Sequence, residues 1–299
     1  MEIKVVSQKS KKPIGTFTVG DKATLLDLKN QVKSKTKRSI DRIRLSIPKS
    51  GSSNLFEGLT NNKDLVSKFV GNDGTIYYKD LGPQISWTLV FVCEYAGPLF
   101  VYPLFYFLPS IFYGSYANTE KTQVQNIALI CYSLHYIKRV LETLFVHRFS
   151  NGTMPIFNLF KNCSYYWGCT AMVSYFVNHP LFTPPPMERV YIGLGLFIFG
   201  EISNLICHIM LRNLRPAGST ERKIPRGFLF ELVSCPNYTV EILSWIGFSI
   251  LTQTLTSYIF TLMGAAQMWV WAVGKHKRYR REFGDKYPRS RKILIPFLL

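Results

Sequence analysis

The sequence lacks the usual signatures of metal sites, disulfide frameworks and dinucleotide-binding loops. Its six cysteines, among 299 residues, are scattered and include no CxxC pair, so we interpret them as small buried apolar residues. There is no HExxH motif, and no second histidine falls at ligand spacing from His208, so we predict no metal site. The segment GLGLFIFG, Gly193 to Gly200, has the wrong glycine spacing for a nucleotide-binding loop, and we expect it to serve close helix packing.

Acidic residues are scarce relative to basic ones. The chain has 36 lysines and arginines against 18 aspartates and glutamates, for a formal net charge of +18. Such a surface can bind nucleic acid by releasing counterions from phosphates, but Lys and Arg also accumulate in the cytosolic loops of membrane proteins. The long apolar runs of this chain favour the second interpretation, so we expect a lipid bilayer and no nucleic acid as partner.

The first eighty residues contain short segments with strand-like and helix-like patterns. EIKVVS, GTFTVG, DRIRLSIP and TIYYKDLG read as strands, and ATLLDLKNQVKSKT places Leu25, Leu28 and Val32 at helical spacing. The order of two strands, a helix and two more strands resembles a ubiquitin-like β-grasp domain, so we predict an α+β domain over residues 1–80. No apolar stretch near Met1 is long enough for a signal peptide, and we expect this domain on the cytosolic side.

From residue 85 onward the chain is dominated by long apolar runs. A transmembrane helix needs roughly 20 mostly apolar residues. The candidate spans are Ile85–Leu108, Val124–Val146, Tyr165–Phe182, Val190–Leu211 and Val240–Val273, the last breaking near Thr254–Ser257, with Phe228–Ser234 as a further short piece. We therefore predict that residues 81–299 form a mainly α, polytopic membrane helix bundle of six or seven spans. The alternative is a soluble all-helical core, which five such runs disfavour.

Basic residues cluster in one connection and in the C-terminal segment. LRNLRPAGSTERKIPRG carries five basic residues against one acid, and GKHKRYRREFGDKYPRSRK carries nine against two. By the positive-inside rule both segments face the cytosol, on the same side as the N-terminal domain.

Several ionisable residues fall inside the predicted spans, where they are costly and usually paired or functional. Glu94 has apolar neighbours on both sides, and a structural hydrogen bond and a substrate-facing role fit its position equally well. Glu142 follows Lys138 and Arg139 by four and three positions, so it can pair with both on one helix face. Tyr136 lies on a neighbouring edge, where its phenol is a candidate donor to a carbonyl.

Two later segments also carry polar residues at helical spacing. Glu201, Asn204 and His208 form a stripe along one predicted helix face. Asn237 and Glu241 lie four residues apart just after a proline, and a helix that starts with proline leaves nearby N–H groups free for an anion or amide ligand.

Several motifs resemble the membrane-embedded steroid 5-alpha-reductase family. They are HYIKR, LRPAGSTERKIP, SCPNYTVEILSWIGF and the terminal YPRSRKILIPFLL. The ubiquitin-like front, with KDLGPQISWTLVFVCEYAGPLF and ETLFVHRFSNGTMP, is similar to the very-long-chain trans-2-enoyl-CoA reductase branch of that family. The resemblance extends over essentially the whole chain.

The resemblance implies a multi-pass enzyme of the endoplasmic reticulum that performs the last step of fatty-acid elongation. Such an enzyme reduces the trans-2 double bond of a long or very-long-chain enoyl-CoA with NADPH, beside other elongation enzymes. Tyr136 matches the family tyrosine that contacts the substrate carbonyl, and Glu94 is its expected acid partner. Tyr238 and Lys138 are further candidates, for protonating C2 or tuning the phenol.

The resemblance also implies a set of cofactor-contacting positions. They are Arg148, Arg215, Lys223, Asn237, Glu241, Lys275, His276 and Tyr279. The chain departs from the steroid reductases where Lys275 replaces a histidine, His208 an acid and Trp271 an arginine. These departures resemble the enoyl-CoA branch.

Three other functions remain open from the sequence. A non-enzymatic membrane scaffold would use the ubiquitin-like domain to recruit partners, but a bare anchor has little use for Glu94 or the charges near Tyr136. A small-solute transporter would use the polar stripe, although no inverted repeat is visible. A steroid or enone reductase of the same family would share the catalytic residues and differ in pocket shape.

Overall fold

The computed structural model describes residues 1–49, 52–70, 73–149, 151–214, 216 and 222–298, and it divides into two compact units. The first, which we call the sheet unit, comprises Met1–Ser86 and Asn151–Asn158. The second, the helical unit, comprises Trp87–Ser150 and Leu159–Leu299. The chain is therefore mainly helical, with a small β-sheet region at its N-terminal end.

The sheet unit contains a five-stranded sheet and one helix. Its elements are β1 Glu2–Ser7, β2 Pro13–Thr18, α1 Leu25–Thr36, β3 Ile43–Lys49, β4 Ser52–Gly58 and β5 Thr75–Asp80, and a separate strand pair joins β6 Gln84–Ser86 to β7 Thr153–Pro155. The strand order is β2-β1-β5-β3-β4; β1 and β5 run parallel, and the other neighbours are antiparallel. The predicted strands and helix are present, and β4 is an additional strand that the sequence analysis did not predict.

Helix α1 closes one face of this sheet. Its N-terminus is fixed by a capping box in which the Thr24 hydroxyl accepts from the Asp27 N–H and the Asp27 carboxylate accepts from the Thr24 N–H. Leu25, Leu28 and Val32, the residues predicted to share a face, are all completely buried. The core of the sheet unit is thus aliphatic and aromatic, built from one helix stripe against alternate strand residues.

In the part of the helical unit that the structure describes there are six long helices and one short one. They are α2 Trp87–Phe107, α3 Pro109–Tyr113, α4 Gln123–Phe145, α5 Phe157–Val177, α6 Met187–Asn213, α7 Pro236–Thr252 and α8 Leu255–Phe283. The chain leaves α7 at Gln253 in a left-handed conformation, which confirms the predicted break in the last apolar run. Short 3₁₀ turns lie at Gly114–Tyr116, Phe228–Glu231 and Gly284–Lys286, so the predicted short piece at residues 228–234 begins with a single turn.

The predicted number of membrane spans is not confirmed. Among the described residues, only α2 and α6 are both long and apolar enough to cross a membrane by length and composition. Helix α4 has Lys138, Arg139 and Glu142 in its second half, and α7 has only 17 residues. Helix α4 therefore differs from a simple apolar span by its charges, and α7 differs by its shorter length.

Glycines bring α6 and α7 into close contact. A Cβ atom built on Gly193 would lie 2.6 Å from the Gly247 carbonyl oxygen, and one on Gly200 would lie 2.7 Å from the Val240 carbonyl oxygen. Gly195, on the same helix, faces open space. The predicted packing role of GLGLFIFG is confirmed for Gly193 and Gly200, and this close approach sets the polar stripe of α6 beside the start of α7.

Candidate active site

The polar residues of α4 and α6 face each other and form ion pairs in the interior of the helical unit. The Lys138 ammonium lies 2.8 Å from Glu201 Oε2, and His135 Nδ1 lies 2.8 Å from Glu201 Oε1. His135 is 3% exposed, so one glutamate of α6 binds two side chains that stand three residues apart on α4. Lys138 therefore pairs with Glu201 across the interface between α4 and α6. The sequence analysis predicted Glu142, on α4 itself, as its partner.

A second group of charges surrounds Arg139, one position further along α4. Its guanidinium donates to Glu142 Oε2 at 2.9 Å, which confirms the predicted pair on one helix face, and to the Tyr95 hydroxyl at 2.9 Å. Glu142 is 1% exposed, and its other oxygen, Oε1, lies 3.0 Å from His208 Nδ1. Burying these groups is tolerable because each charge has a partner of opposite sign within contact distance.

Asn204 connects this network to the first turn of α7. Its side-chain oxygen accepts from Lys138 at 2.8 Å, while its side-chain nitrogen donates to the Asn237 carbonyl and to Glu241 Oε2, both at 2.9 Å. Glu241 Oε1 in turn lies 3.8 Å from His135 Nε2. The structure thereby brings together three predicted site residues that lie up to 103 positions apart (241 − 138).

Tyr136 lies in an aromatic cluster beside the ion pairs. Its ring centroid is 5.1 Å from that of Tyr132, 6.2 Å from Trp245 and 6.4 Å from both Tyr95 and Tyr166. The side chain is 1% exposed. The predicted donor thus sits in a water-excluded environment, where a hydrogen bond to developing negative charge is worth more than in water.

Glu94 occupies a separate position on α2. It is 1% exposed, and its Oε2 accepts a hydrogen bond from the Asn162 side-chain nitrogen of α5 at 2.8 Å. Its sequence neighbour Tyr95 contacts both Arg139 and the Tyr136 ring cluster. Glu94 is therefore placed next to the candidate site through Tyr95.

A third polar cluster joins the end of α8 to the segment before α7. Ser234 Oγ lies 2.6 Å from His276 Nδ1 and 2.7 Å from the Tyr287 hydroxyl, and it donates to the Lys292 carbonyl at 3.1 Å. The Tyr287 ring stacks on Tyr279 with centroids 5.4 Å apart and planes 8° apart. The predicted residues His276 and Tyr279 are thus held by one cluster.

Tyr238 of α7 and Lys275 of α8 also contact each other. The Lys275 ammonium lies 4.5 Å from the centre of the Tyr238 ring, a cation–π contact that leaves positive charge at the surface of the molecule. A cavity of about 300 Å³ opens beside the α8 residues, lined by His276, Arg280, Gly284, Asp285, Tyr287, Pro288 and Arg289. Two arginines and a histidine against one aspartate are a donor set that suits phosphate groups.

Two further predicted cofactor residues lie in segments that connect the helices. Lys223 is exposed in the segment before the Phe228–Glu231 turn, and Arg148 lies half-buried in the segment after α4. Arg215 lies outside the described residues. In the same region, Gly227 N–H donates to Glu231 Oε1 at 2.6 Å and lowers the pKa of that carboxyl.

The structure adds site residues that the sequence analysis did not assign. Glu201 and Asn204 were recognised only as a polar stripe, although they are the main partners of Lys138. The residues missed altogether include Tyr95, Tyr132, Asn162, Tyr166, Ser234, Trp245 and Tyr287. The one available signal was the period of the stripe on α6, because the other contacts join residues that are distant in sequence.

A family of known proteins matches the C-terminal part of the chain. The family described as 3-oxo-5-alpha-steroid 4-dehydrogenase matches residues 152–299, which include α6, α7, α8 and the residues of the third cluster.

Two named relatives specify the family more closely than this match does. A protein of Dictyostelium discoideum named very-long-chain enoyl-CoA reductase is 72% identical over 301 residues, covering 100% of both chains. A human protein named trans-2,3-enoyl-CoA reductase-like is 43% identical over 234 residues, covering 75% of this chain and 64% of the relative. The chain belongs to the very-long-chain enoyl-CoA reductase family.

Proposed function

We propose that this protein reduces the trans-2 double bond of long and very-long-chain enoyl-CoA with NADPH, as the last step of fatty-acid elongation in the endoplasmic reticulum. The observation that carries the proposal is the ion-paired network of α4, α6 and α7, set beside a buried tyrosine in an otherwise apolar helical unit. Family membership supports the substrate class. A structural anchor would not need buried charges, which are expensive in such surroundings.

The reaction adds a hydride to C3 of the substrate and a proton to C2, and negative charge develops on the thioester oxygen in between. The Tyr136 hydroxyl donates a hydrogen bond to that oxygen and stabilises its developing negative charge, as an oxyanion-hole donor does. The rings of Tyr95, Tyr132, Tyr166 and Trp245 exclude water from it. Because Tyr136 is 1% exposed, this aromatic cluster must open to admit the thioester.

The remaining polar residues serve the same centre. Glu94, held by Asn162, is the acid partner on α2, and Lys138, held by Glu201 and Asn204, is a candidate for tuning the phenol through the α4 network. Tyr238 is the second candidate proton donor to C2. All of these roles are proposals that follow from the resemblance, with contacts that agree with them.

NADPH, when bound, supplies the hydride. Its phosphates would be held by the basic end of α8 and the connections on the same side, through Lys275, His276, Arg148, Arg215 and Lys223. Asn237, Glu241 and Tyr279 would contact its uncharged parts. The donor set fits a polyanion, because the part of α8 after residue 274 carries five Lys or Arg against one acid.

We further propose a multi-pass arrangement in the endoplasmic reticulum membrane. The six long helices have 17 to 29 residues, near the roughly 20 that a span requires. Residues 81–299 would be the membrane catalytic domain, with a cytosolic C-terminal tail. Residues 1–80 would be a cytosolic ubiquitin-like domain, an assignment that the parallel pairing of β1 with β5 beside α1 supports, and it would bind other elongation enzymes.

The test is NADPH oxidation by the purified, detergent-solubilised protein. We expect oxidation with a long trans-2-enoyl-CoA, formation of the saturated acyl-CoA by mass spectrometry, and no oxidation with the saturated acyl-CoA of equal length. Oxidation with a steroid enone instead would favour the sibling steroid reductase function. Absence of oxidation with either substrate would contradict the enzyme proposal and favour a scaffold.

Removing residues 1–80 tests the division of labour. We expect the truncated protein to lose association with other elongation enzymes in co-purification more than it loses turnover. A complete loss of turnover in a truncated protein that still elutes as a single species would contradict this arrangement.

A further inference from the structure

Three potential metal ligands meet where α4 ends against α6. Glu142, His147 and His208 each offer one ligand atom, and these atoms all lie within 4.8 Å of one another. The rings of His147 and His208 are 4.9 Å apart. His147 and His208 are 61 residues apart in sequence (208 − 147), which is why ligand spacing along the chain does not predict the group.

The Glu142 oxygen that faces His208 has no second polar partner among the described residues. Glu142 Oε1 lies 3.0 Å from His208 Nδ1, and it accepts no other hydrogen bond in the part of the chain that the structure describes. Glu142 is 1% exposed. A buried carboxylate oxygen with a single polar neighbour is short of partners, and a cation shared with the imidazole would stabilise it.

The charges of the surrounding network leave room for a cation. The contacting side chains of α4, α6 and α7 contribute two positive charges, from Lys138 and Arg139. They contribute three negative charges, from Glu142, Glu201 and Glu241. The Lys, Arg and Glu side chains of the network thus sum to one negative charge, which a cation at this point would offset.

We propose that Glu142, His147 and His208 bind a divalent transition-metal ion of the zinc class. Two imidazole nitrogens and one carboxylate oxygen suit Zn²⁺, Co²⁺ or Ni²⁺ rather than Mg²⁺ or Ca²⁺, which prefer oxygen ligands. At metal–ligand distances near 2.0–2.2 Å, tetrahedral ligand atoms lie about 3.3 Å apart, so side-chain movements of about 1 Å would complete the site. This inference revises the sequence-based prediction that the chain has no metal site.

The neighbouring arginine limits the affinity of the site for a cation. Arg139 binds Glu142 through Oε2 and leaves Oε1 to the metal; its longer contact, 3.5 Å to His208 Nδ1, would be displaced. Because Arg139 repels a cation at this distance, hard ions with weak nitrogen bonds should be rejected. The ion would tie the segment after α4 to α6.

The experiment measures Co²⁺ binding by visible absorption and Zn²⁺ content by elemental analysis, using the full-length protein in detergent after chelator treatment and gel filtration. We expect stoichiometric Co²⁺ uptake with d–d bands and without a thiolate charge-transfer band, since Cys207 is not among the ligands. Zn²⁺ should displace Co²⁺, and Mg²⁺ should not. Wild-type protein that takes up neither Co²⁺ nor Zn²⁺ would overturn the proposal.

Variants locate the ion. His147→Gln and His208→Gln should each weaken Co²⁺ binding by about 10-fold to 100-fold or more, the range seen when ligand shells are disturbed. His179→Gln, which removes a histidine whose ring contacts the Leu181 N–H and the rings of Tyr113 and Tyr175, should bind like the wild type. Equal binding by all three variants would place the metal elsewhere and overturn the site.

Discussion

Apart from Lys29 and Ser46, the interior of the sheet unit is aliphatic and aromatic, whereas the interior of the helical unit also contains glutamates, histidines and an arginine. In the sheet unit Ile3, Leu25 and Ile76 are completely buried. In the helical unit Glu94 and Glu142 are each 1% exposed. Both units are compact, so compactness does not explain why only one interior contains several ionisable side chains. We attribute the difference to the functions of the two units.

Apolar burial alone is enough to stabilise a small domain, at about 1.5–3 kcal/mol for each large aliphatic side chain. Buried ion pairs seldom add to this, because desolvation offsets their attraction. The helical unit keeps Lys138, Arg139 and their partners where apolar residues would pack as well. Such an interior points to chemistry rather than stability, and it makes the helical unit sensitive to the loss of any one partner.

The largest expected effect comes from breaking a buried pair. In chelator-treated, metal-free protein, Arg139→Met should destabilise the helical unit by about 3–5 kcal/mol, because the buried Glu142 carboxylate loses its guanidinium partner. The measurement is denaturant unfolding of the detergent-solubilised protein, followed by the fluorescence of tryptophans, all of which lie after residue 86.

The exposed Arg278 of α8 supplies the matched control, and Arg278→Met should leave the unfolding midpoint unchanged. A cost below about 1 kcal/mol for Arg139→Met, the range of surface pairs, would show that the charges of the helical unit behave like surface charges.

A smaller loss of stability is expected when the close backbone contact between α6 and α7 is disturbed. The described part of the sheet unit, with its single α-helix, has no helix pair of this kind. Gly193→Ala should cost about 1–3 kcal/mol by overpacking, since the new Cβ would lie 2.6 Å from the Gly247 carbonyl oxygen. Gly195→Ala, into open space on the same helix, should be neutral or slightly stabilising. Equal melting temperatures for the two variants would contradict the close contact of α6 and α7.

The smallest effect concerns a charge pair at the rim of the sheet unit. Asp80 accepts two hydrogen bonds from Arg42, at 2.8 and 3.0 Å, and this contact lowers the pKa of Asp80. Its contribution to stability is therefore complete above the ordinary aspartate value of about 3.8 and is lost as the pH falls through the lower folded value.

Hydrogen exchange of β5 peptides, corrected for intrinsic exchange, measures this dependence. Asp80→Asn should remove a modest acid-induced loss of protection that the wild type shows. An unchanged dependence in Asp80→Asn would mean that another group of the sheet unit titrates.

Local pattern predicts local structure well in both units. The spacing of Leu25, Leu28 and Val32 places α1, and the break before Leu255 follows from the polar run TQT between apolar stretches. Strand β4, SSNLFEG, lacks apolar alternation and depends on pairing with β3, so its own residues do not reveal it.

Long-range contacts are what the sequence leaves undetermined in the candidate site. The pair of Arg139 and Glu142 is predictable because three residues along a helix share a face. The pairing of Lys138 with Glu201 depends on how α4 packs against α6, and no pattern within either segment specifies that packing. Only the family resemblance distinguishes Tyr136 from the neighbouring tyrosines as the candidate carbonyl donor. The structure adds that its side chain is buried away from water.

The most direct measurement is the turnover of Tyr136→Phe against that of Tyr132→Phe. Both tyrosines are buried on α4, four residues apart, and Tyr132 bonds Thr170 Oγ1 at 2.9 Å. With NADPH and a long trans-2-enoyl-CoA, Tyr136→Phe should lose about 100-fold or more in kcat, as when an oxyanion donor is removed, while Tyr132→Phe stays within a few-fold of wild type. Equal activity of the two variants would contradict the assignment of the carbonyl donor to Tyr136.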